Sequence, residues 1–314
     1  MAAYTSRAYS GAEDLKQLIR FAEMASAARM PRSTYVKPGD IIWAMYNVDY
    51  SDDIRLWFDD DSLAGYALFE APLHVDFDIR PDRPTDAALL DTILRWAEER
   101  RRAVGLGADI PKAYAILGDG VLSTRALLSD HERIDMLERR GYARANRFGM
   151  LYSQSLLDSE IDPPQLEPGL RLRHVTNADL EERVDLHRDA WSVWGPSKAT
   201  VENYRRLRAA PRHDAELDLV LEDSRGRFLA YCVGWLDYAN AVGHFEPVGC
   251  RPAFTGRGFA RAVIIEGLRR MKARRMRTAL VATESANAPA MRLYPSCGFV
   301  EVDRAYHYTR RVLD

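Results

Sequence analysis

The sequence predicts a mixed α/β protein made of two similar domains in tandem, and three observations carry that expectation. The chain has 314 residues, about twice what one ordinary domain needs. One order of helices and strands runs along it twice, the signature of an internal repeat. In the second run a glycine turn, Gly256-Arg257-Gly258, joins a strand to a long helix.

The first run reads as a helix over 12–28, strands over 54–57, 65–69 and 74–80, a helix over 86–102, and a strand over 113–117. The second run repeats it with a helix over 178–191, strands over 217–222, 227–236 and 244–251, and a helix over 258–275. A strand over 277–283, a short helix and a last strand over 306–311 complete it. Arg80-Pro81 and Arg251-Pro252 end equivalent strands. The segment 128–142 mirrors 285–299, and aligning Gly141 with Gly298 sets Asp130 against Asn287 and Leu137 against Tyr294. Between the runs, 157–169 carries prolines and acidic residues, as an exposed linker does. The expected units are therefore an N-terminal domain over 1–156, a linker over 157–169 and a C-terminal domain over 170–314.

The glycine turn is where chemistry first shows. Two glycines leave backbone N–H groups bare at the positive end of a helix dipole, a seat for a diphosphate. A P-loop would need Lys-Ser/Thr where Phe259-Ala260 stands, and a Rossmann fingerprint would need a small residue in place of Arg261. Both are excluded.

The turn sits inside a longer pattern, Val248-x-x-x-Pro252-x-x-x-Gly256-x-Gly258-x-Ala260. Downstream follows Asn287-x-x-Ala290-x-x-Leu293-Tyr294, closed by Gly298-Phe299. With these two motifs in this order, the chain resembles the GNAT superfamily of acyl-CoA-dependent N-acetyltransferases. The resemblance is strong over 170–314 and survives only in outline over 1–150. The whole layout is similar to tandem GNAT proteins, an arrangement also found in mycothiol synthases.

That resemblance implies, for each domain, a mixed and mostly antiparallel sheet with a splayed central strand pair flanked by helices. It implies acetyl-CoA as cosubstrate. The amides of Thr255, Gly256, Arg257, Gly258, Phe259 and Ala260 would hold its pyrophosphate, and Val248, Gly249 and Cys250 would pair with its pantetheine arm. Asn287 would bond the same arm, or serve only as a helix cap. Thr255 replaces the Arg or Gln usual at the first loop position, so Arg257 and Arg261 are expected to supply the positive charge. Tyr294 is the implied general acid for the departing thiolate, with core packing as its other reading. The implied base lies on the preceding strand, where His244 and Glu246 share a face; both stay open. Transfer would be direct, in a ternary complex, with the acetyl carbonyl on a strand amide near Val248. No Cys or Ser is paired with a base, so no acyl-enzyme is expected.

The N-terminal copy lacks these features. Pro81-Asp82-Arg83-Pro84-Thr85-Asp86 replaces the glycine turn, removing donors and adding negative charge. Leu137 replaces the phenol. This copy is expected to be degenerate and not to bind CoA.

A net charge of -2 favours neither nucleic acid nor an anionic membrane as partner. No apolar run reaches the length of a membrane span and no signal segment is seen. Cys232, Cys250 and Cys297 fit free thiols in a reducing cytoplasm, and the seven histidines show no metal-ligand spacing. No metal is therefore expected. The Arg-rich runs at 100–102 and 269–275 read as solvated helix ends. The expected acceptor is the primary amine of a small molecule, in a cleft supplied by Trp191, Trp194, Trp235, Asp237 and Tyr238, with 192–211 as a lid. The protein would be a monomer or homodimer. A non-catalytic acyl-CoA-binding or regulatory protein, or an interaction scaffold, is the alternative reading.

Overall fold

The computed structural model describes residues 4–30, 35–48, 51–111, 114–195 and 197–314. In the first half these form β1 (Thr5–Ala8), α1 (Ala12–Arg29), α2 (Pro38–Trp43), β2 (Ile54–Asp59), β3 (Ser62–Glu70), β4 (His74–Ile79), α3 (Ala87–Val104), β5 (Val121–Leu127), α4 (His131–Arg139) and β6 (Ala143–Leu156). In the second half they form β7 (Arg171–His174), α5 (Leu180–Trp191), α6 (Val201–Arg208), β8 (Asp218–Glu222), β9 (Phe228–Asp237), β10 (Val242–Cys250), α7 (Phe259–Ala273), β11 (Thr278–Glu284), α8 (Ala288–Ser296) and β12 (Val300–Arg311).

All the strands belong to one 12-stranded sheet in the order β1-β2-β3-β4-β5-β12-β6-β11-β10-β9-β8-β7. Its pairings are antiparallel except β4–β5 and β10–β11. Those two pairs are the splayed ones. β10 meets β11 only from Val242–Thr278 to His244–Leu280, and β4 meets β5 only at His74–Ser123. Beyond those contacts each pair opens, leaving one edge of β10 free from Phe245 onward. The mixed, mostly antiparallel sheet expected from the sequence is therefore present.

Its connectivity was not anticipated. β12, the last strand of the chain, lies between β5 and β6, and β6 in turn pairs with β11. Each half thus completes its sheet with the final strand of the other.

Helices cover both faces. α1 and α2 share a core with α5, α6 and β9, in which Leu18, Phe21 and Ile42 meet Val184, Leu207 and Trp235. On the opposite face α7 and α8 pack on the C-terminal strands, and α3 and α4 on the N-terminal strands together with Tyr308 of β12. Burying such apolar surface stabilises at about 25 cal/mol per Å², so the shared core holds the two halves together.

Three expectations need correction. The strand expected over 113–117 is a 3-10 turn at Ala115–Leu117, with Ala113 outside the described residues. The strand itself, β5, begins after Gly118 and Gly120, whose φ values of 81° and 83° break the chain direction first. The run at 100–102 is not simply a solvated helix end, because Arg101 is fully buried and donates to the Val121 and Gly105 carbonyls and to Asp119. In the second run, Arg270 and Arg274 are likewise committed to Glu266, Asp214 and Glu216. Among the described residues no helix is long and apolar enough to cross a membrane.

Candidate active site

The glycine turn folds as its residues demand. Gly256 and Gly258 have φ of 85° and 82°, a left-handed region where a Cβ is strained. A 3-10 turn at Pro252–Phe254 delivers the chain to them, and α7 starts at Phe259. No side chain caps α7 and no acidic residue stands in its first turn, so its leading N–H groups stay available. The N-terminal counterpart is closed. There Asp86 accepts from the Leu89 amide at 2.9 Å, capping α3, while Tyr4 donates to the same carboxylate.

In front of α7 lies a cavity of about 410 Å³ between β10, α7 and α8. Of the expected cofactor-binding residues, all but Arg257 line it, from Val248 through the turn to Asn287. Arg257 lines an adjoining hollow beside the 160–167 segment, with Arg261 on the wall of both. Asn287 caps α8, accepting from the Ala290 amide at 3.2 Å, just as its repeat partner Asp130 caps α4. Tyr294 lines the cavity at 7% exposure, and burial, reinforced by Glu246, pushes its hydroxyl well above the usual phenol range. Cys250 also lines it, its thiol pushed up to about 11 by burial. All three cysteines are free. The buried Arg251 fixes the end of β10 to α5 through Glu182, Asp185 and Asp189.

β10 is irregular where chemistry was expected. Phe245 pairs with Gly234 and Val248 with Cys232, so two residues oppose one and the strand bulges at Glu246-Pro247. The indole of Trp235 holds the bulge by donating to the Glu246 carbonyl at 2.7 Å.

The partner of this bulge comes from the other half of the chain. Gly39 lets α2 lie against Trp235 and His244, since a Cβ there would sit 2.4 Å from the Trp235 Cγ. That approach brings Asp40 to His244, with 2.9 Å between Oδ1 and Nε2. The buried Lys37 stands 3.5 Å from the same carboxylate. Burial opposes ionisation of Asp40, but Lys37 and His244 outweigh it and hold the carboxyl well below its usual range. Burial drives His244 the other way, toward the neutral ring. With Nε2–H donating to Asp40, Nδ1 is the free lone pair, and it is packed against Gly39. Burial, reinforced by the Asp40 charge, pushes Glu246 up to about 8. Donor atoms of Asp40, His244 and Glu246 lie within 4.8 Å of one another, a spacing that can hold a cation. Here the Lys37 ammonium supplies positive charge beside them.

Glu246 also lines a second cavity, of about 320 Å³, walled mainly by the N-terminal half: Lys37, Asp40, Trp43, Tyr66, Glu70, Asp76, Arg125 and Tyr152. The cleft residues expected from sequence lie elsewhere. Trp191 and Trp194 line the cofactor-side cavity, Trp235 is buried, Asp237 binds Asn240, and Tyr238 is exposed at 60%. The stretch 192–211 forms a 3-10 turn and α6, with Pro196 outside the described residues. Sequence reasoning missed Asp40 and Lys37 altogether, because nothing local ties residue 40 to residue 244.

Known proteins resemble this chain in sequence and in fold. Residues 181–299 match the acetyltransferase (GNAT) family. The chain is 40% identical to a mycothiol acetyltransferase of Acidothermus cellulolyticus over 273 residues, covering 79% of this chain and 76% of that one. It is 28% identical to a mycothiol acetyltransferase of Saccharomonospora viridis over 185 residues, spanning 56% of this chain and only 60% of the relative. Among solved structures, a tandem GNAT protein from the clavulanic acid biosynthesis pathway superposes with a TM-score of 0.65 at 13% identity, over 99% of both chains.

Proposed function

As the chain belongs to the acetyltransferase (GNAT) family, we propose that it transfers an acetyl group from acetyl-CoA to the primary amine of a small molecule, directly and in a ternary complex. One observation carries this reading: β10 borders two cavities and places Glu246 in the second, two residues from Val248 in the first. The uncapped α7 terminus, the left-handed glycines and the free edge of β10 fit the pyrophosphate and pantetheine of acetyl-CoA. With the thioester bound, its acyl carbon is the electrophile.

Glu246 is the better base of the two candidates. It faces the acceptor cavity and ionises near neutral pH, whereas the free nitrogen of His244 is packed against Gly39. His244 then orients Asp40, and Asp40 in turn helps keep Glu246 basic. Glu246 takes one proton from the incoming ammonium and releases it to water. As the N–C bond forms and the C–S bond breaks, Tyr294 protonates the sulfur and recovers a proton from the new amide nitrogen. The acceptor is a small molecule because the 320 Å³ cavity admits little more.

The N-terminal copy does not bind CoA in this reading, since Asp86 already occupies the helix terminus that a pyrophosphate would need. Calorimetric titration with acetyl-CoA tests both points. One site per chain is expected, lost in Gly258→Glu, because the new side chain adds strain at φ 82° and negative charge at the turn. Two sites would overturn the assignment of the N-terminal copy, and no site would overturn the proposed function.

A further inference from the structure

The acceptor cavity is not electrostatically balanced, and the imbalance says what fills it. Its lining carries two cations, and both are committed: Lys37 to Asp40 at 3.5 Å, and Arg125 to Asp76 through Nε at 3.1 Å. Two carboxylates remain. Glu246 is the one beside the cofactor cavity. Glu70, at the end of β3, receives only the Tyr114 hydroxyl at 2.7 Å and makes no ion pair among the described residues.

A second carboxylate reinforces Glu70. Glu284 stands on the same face of β11 as the lining residue Ala282, and burial, together with Glu70 and Asp76 and against Arg125, pushes it up to about 7. Such crowding is unfavourable in an empty, partly desolvated site and is relieved when a cation enters.

An independent feature points the same way. Tyr66 lines the cavity at 3% exposure, and its hydroxyl has no hydrogen-bond partner. A buried polar atom left unpaired is costly, so the wall of this cavity is under polar strain on the Tyr66 side. The remaining wall is mostly aliphatic, but Tyr35, Trp43 and Tyr152 stand among its side chains, and ring faces such as theirs attract cations.

We infer that this cavity takes an acceptor with two cationic nitrogens, one delivered to Glu246 for acetylation and the other held by Glu70, with Glu284 adding negative field behind it. The substrate class is thus a diamine or a polyamine-like base rather than a simple amine or a neutral amino-sugar. The inference rests on the acetyl-transfer reading for which end reacts, but not for what binds.

Binding and turnover separate the two. The CoA-saturated protein is titrated calorimetrically with putrescine, its longer homologue cadaverine, and n-butylamine, which has the carbon count of putrescine without the second nitrogen. At least one diamine is expected to bind about tenfold or more tightly than the monoamine, as a desolvated charge pair allows. Glu70→Gln and Glu284→Gln should each erase most of that advantage while CoA affinity, which reports an intact fold, holds. Equal binding of diamines and monoamine, no binding of diamines, or an advantage that survives both substitutions would overturn the inference. Diamine binding with the expected preference but no acetyl-dependent thiol release would leave it standing and sink the acetyl-transfer reading instead.

Discussion

In the proposed reaction, Glu246 is where the chemistry concentrates. Its carboxyl, pushed up to about 8 mainly by burial, is half or more protonated at neutral pH, so kcat/KM should rise with pH and level off above that value. Glu246→Gln should lower turnover by about a hundredfold or more, the usual yield of a positioned base, with acetyl-CoA affinity unchanged and the rising limb gone. Steady-state thiol release across pH, with calorimetry for the cofactor, checks this. Stability carries the same signature with a definite sign. A carboxyl raised in the folded state is fully accommodated below its ordinary value, and that stability is lost as pH rises through about 8. The glutamine variant should therefore gain thermal stability relative to wild type at alkaline pH. His244 and Glu246 were both legible as candidates, because the family resemblance points to this strand and its alternation sets the two on one face. The choice between them was not, because it depends on a bulge at Glu246-Pro247 and on Asp40, a residue distant in sequence.

At the scale of elements, α2 is the one that sequence reasoning lacked. It is six residues long, too short for a helical period to register, and its importance comes from what it touches. Gly39 lets it reach β10, so Gly39→Ala should force α2 outward against Trp235 and His244. Overpacking of this kind costs about 1–3 kcal/mol, and turnover should fall further than CoA affinity because Asp40 moves with the helix. Chemical denaturation and the split between kcat and cofactor affinity measure the two effects. The glycine turn and α7, by contrast, were readable in full, since φ requirements and helix termini are local properties. So was the repeat alignment: Asp130 and Asn287 cap equivalent helices, as matching Gly141 to Gly298 implies. β1 and β7 escaped notice because each has four residues on an edge of the sheet.

For the whole molecule, the exchange of final strands matters more than the repeat that hides it. A repeat reveals that two segments are alike but not which neighbour each strand chooses, so β6 and β12 could not be assigned from sequence. Residues 170–314 alone would lack β6 against β11, and residues 1–156 would lack β12 against β5. Neither piece should give a cooperative unfolding transition when expressed alone, whereas co-expression should restore acetyl-CoA binding; a well-folded isolated C-terminal piece would contradict this. The same arrangement sets a clock on biosynthesis. β5 is complete at Leu127, but the strand that belongs beside it begins at Val300. At ribosomal speeds of roughly 5–20 residues per second, that edge waits on the order of ten to thirty seconds. Throughout that interval β6, already made, is free to close on β5 and occupy the place of a strand not yet synthesised. Correct folding therefore requires the nascent chain to keep a gap open in its own sheet until β12 has left the ribosome.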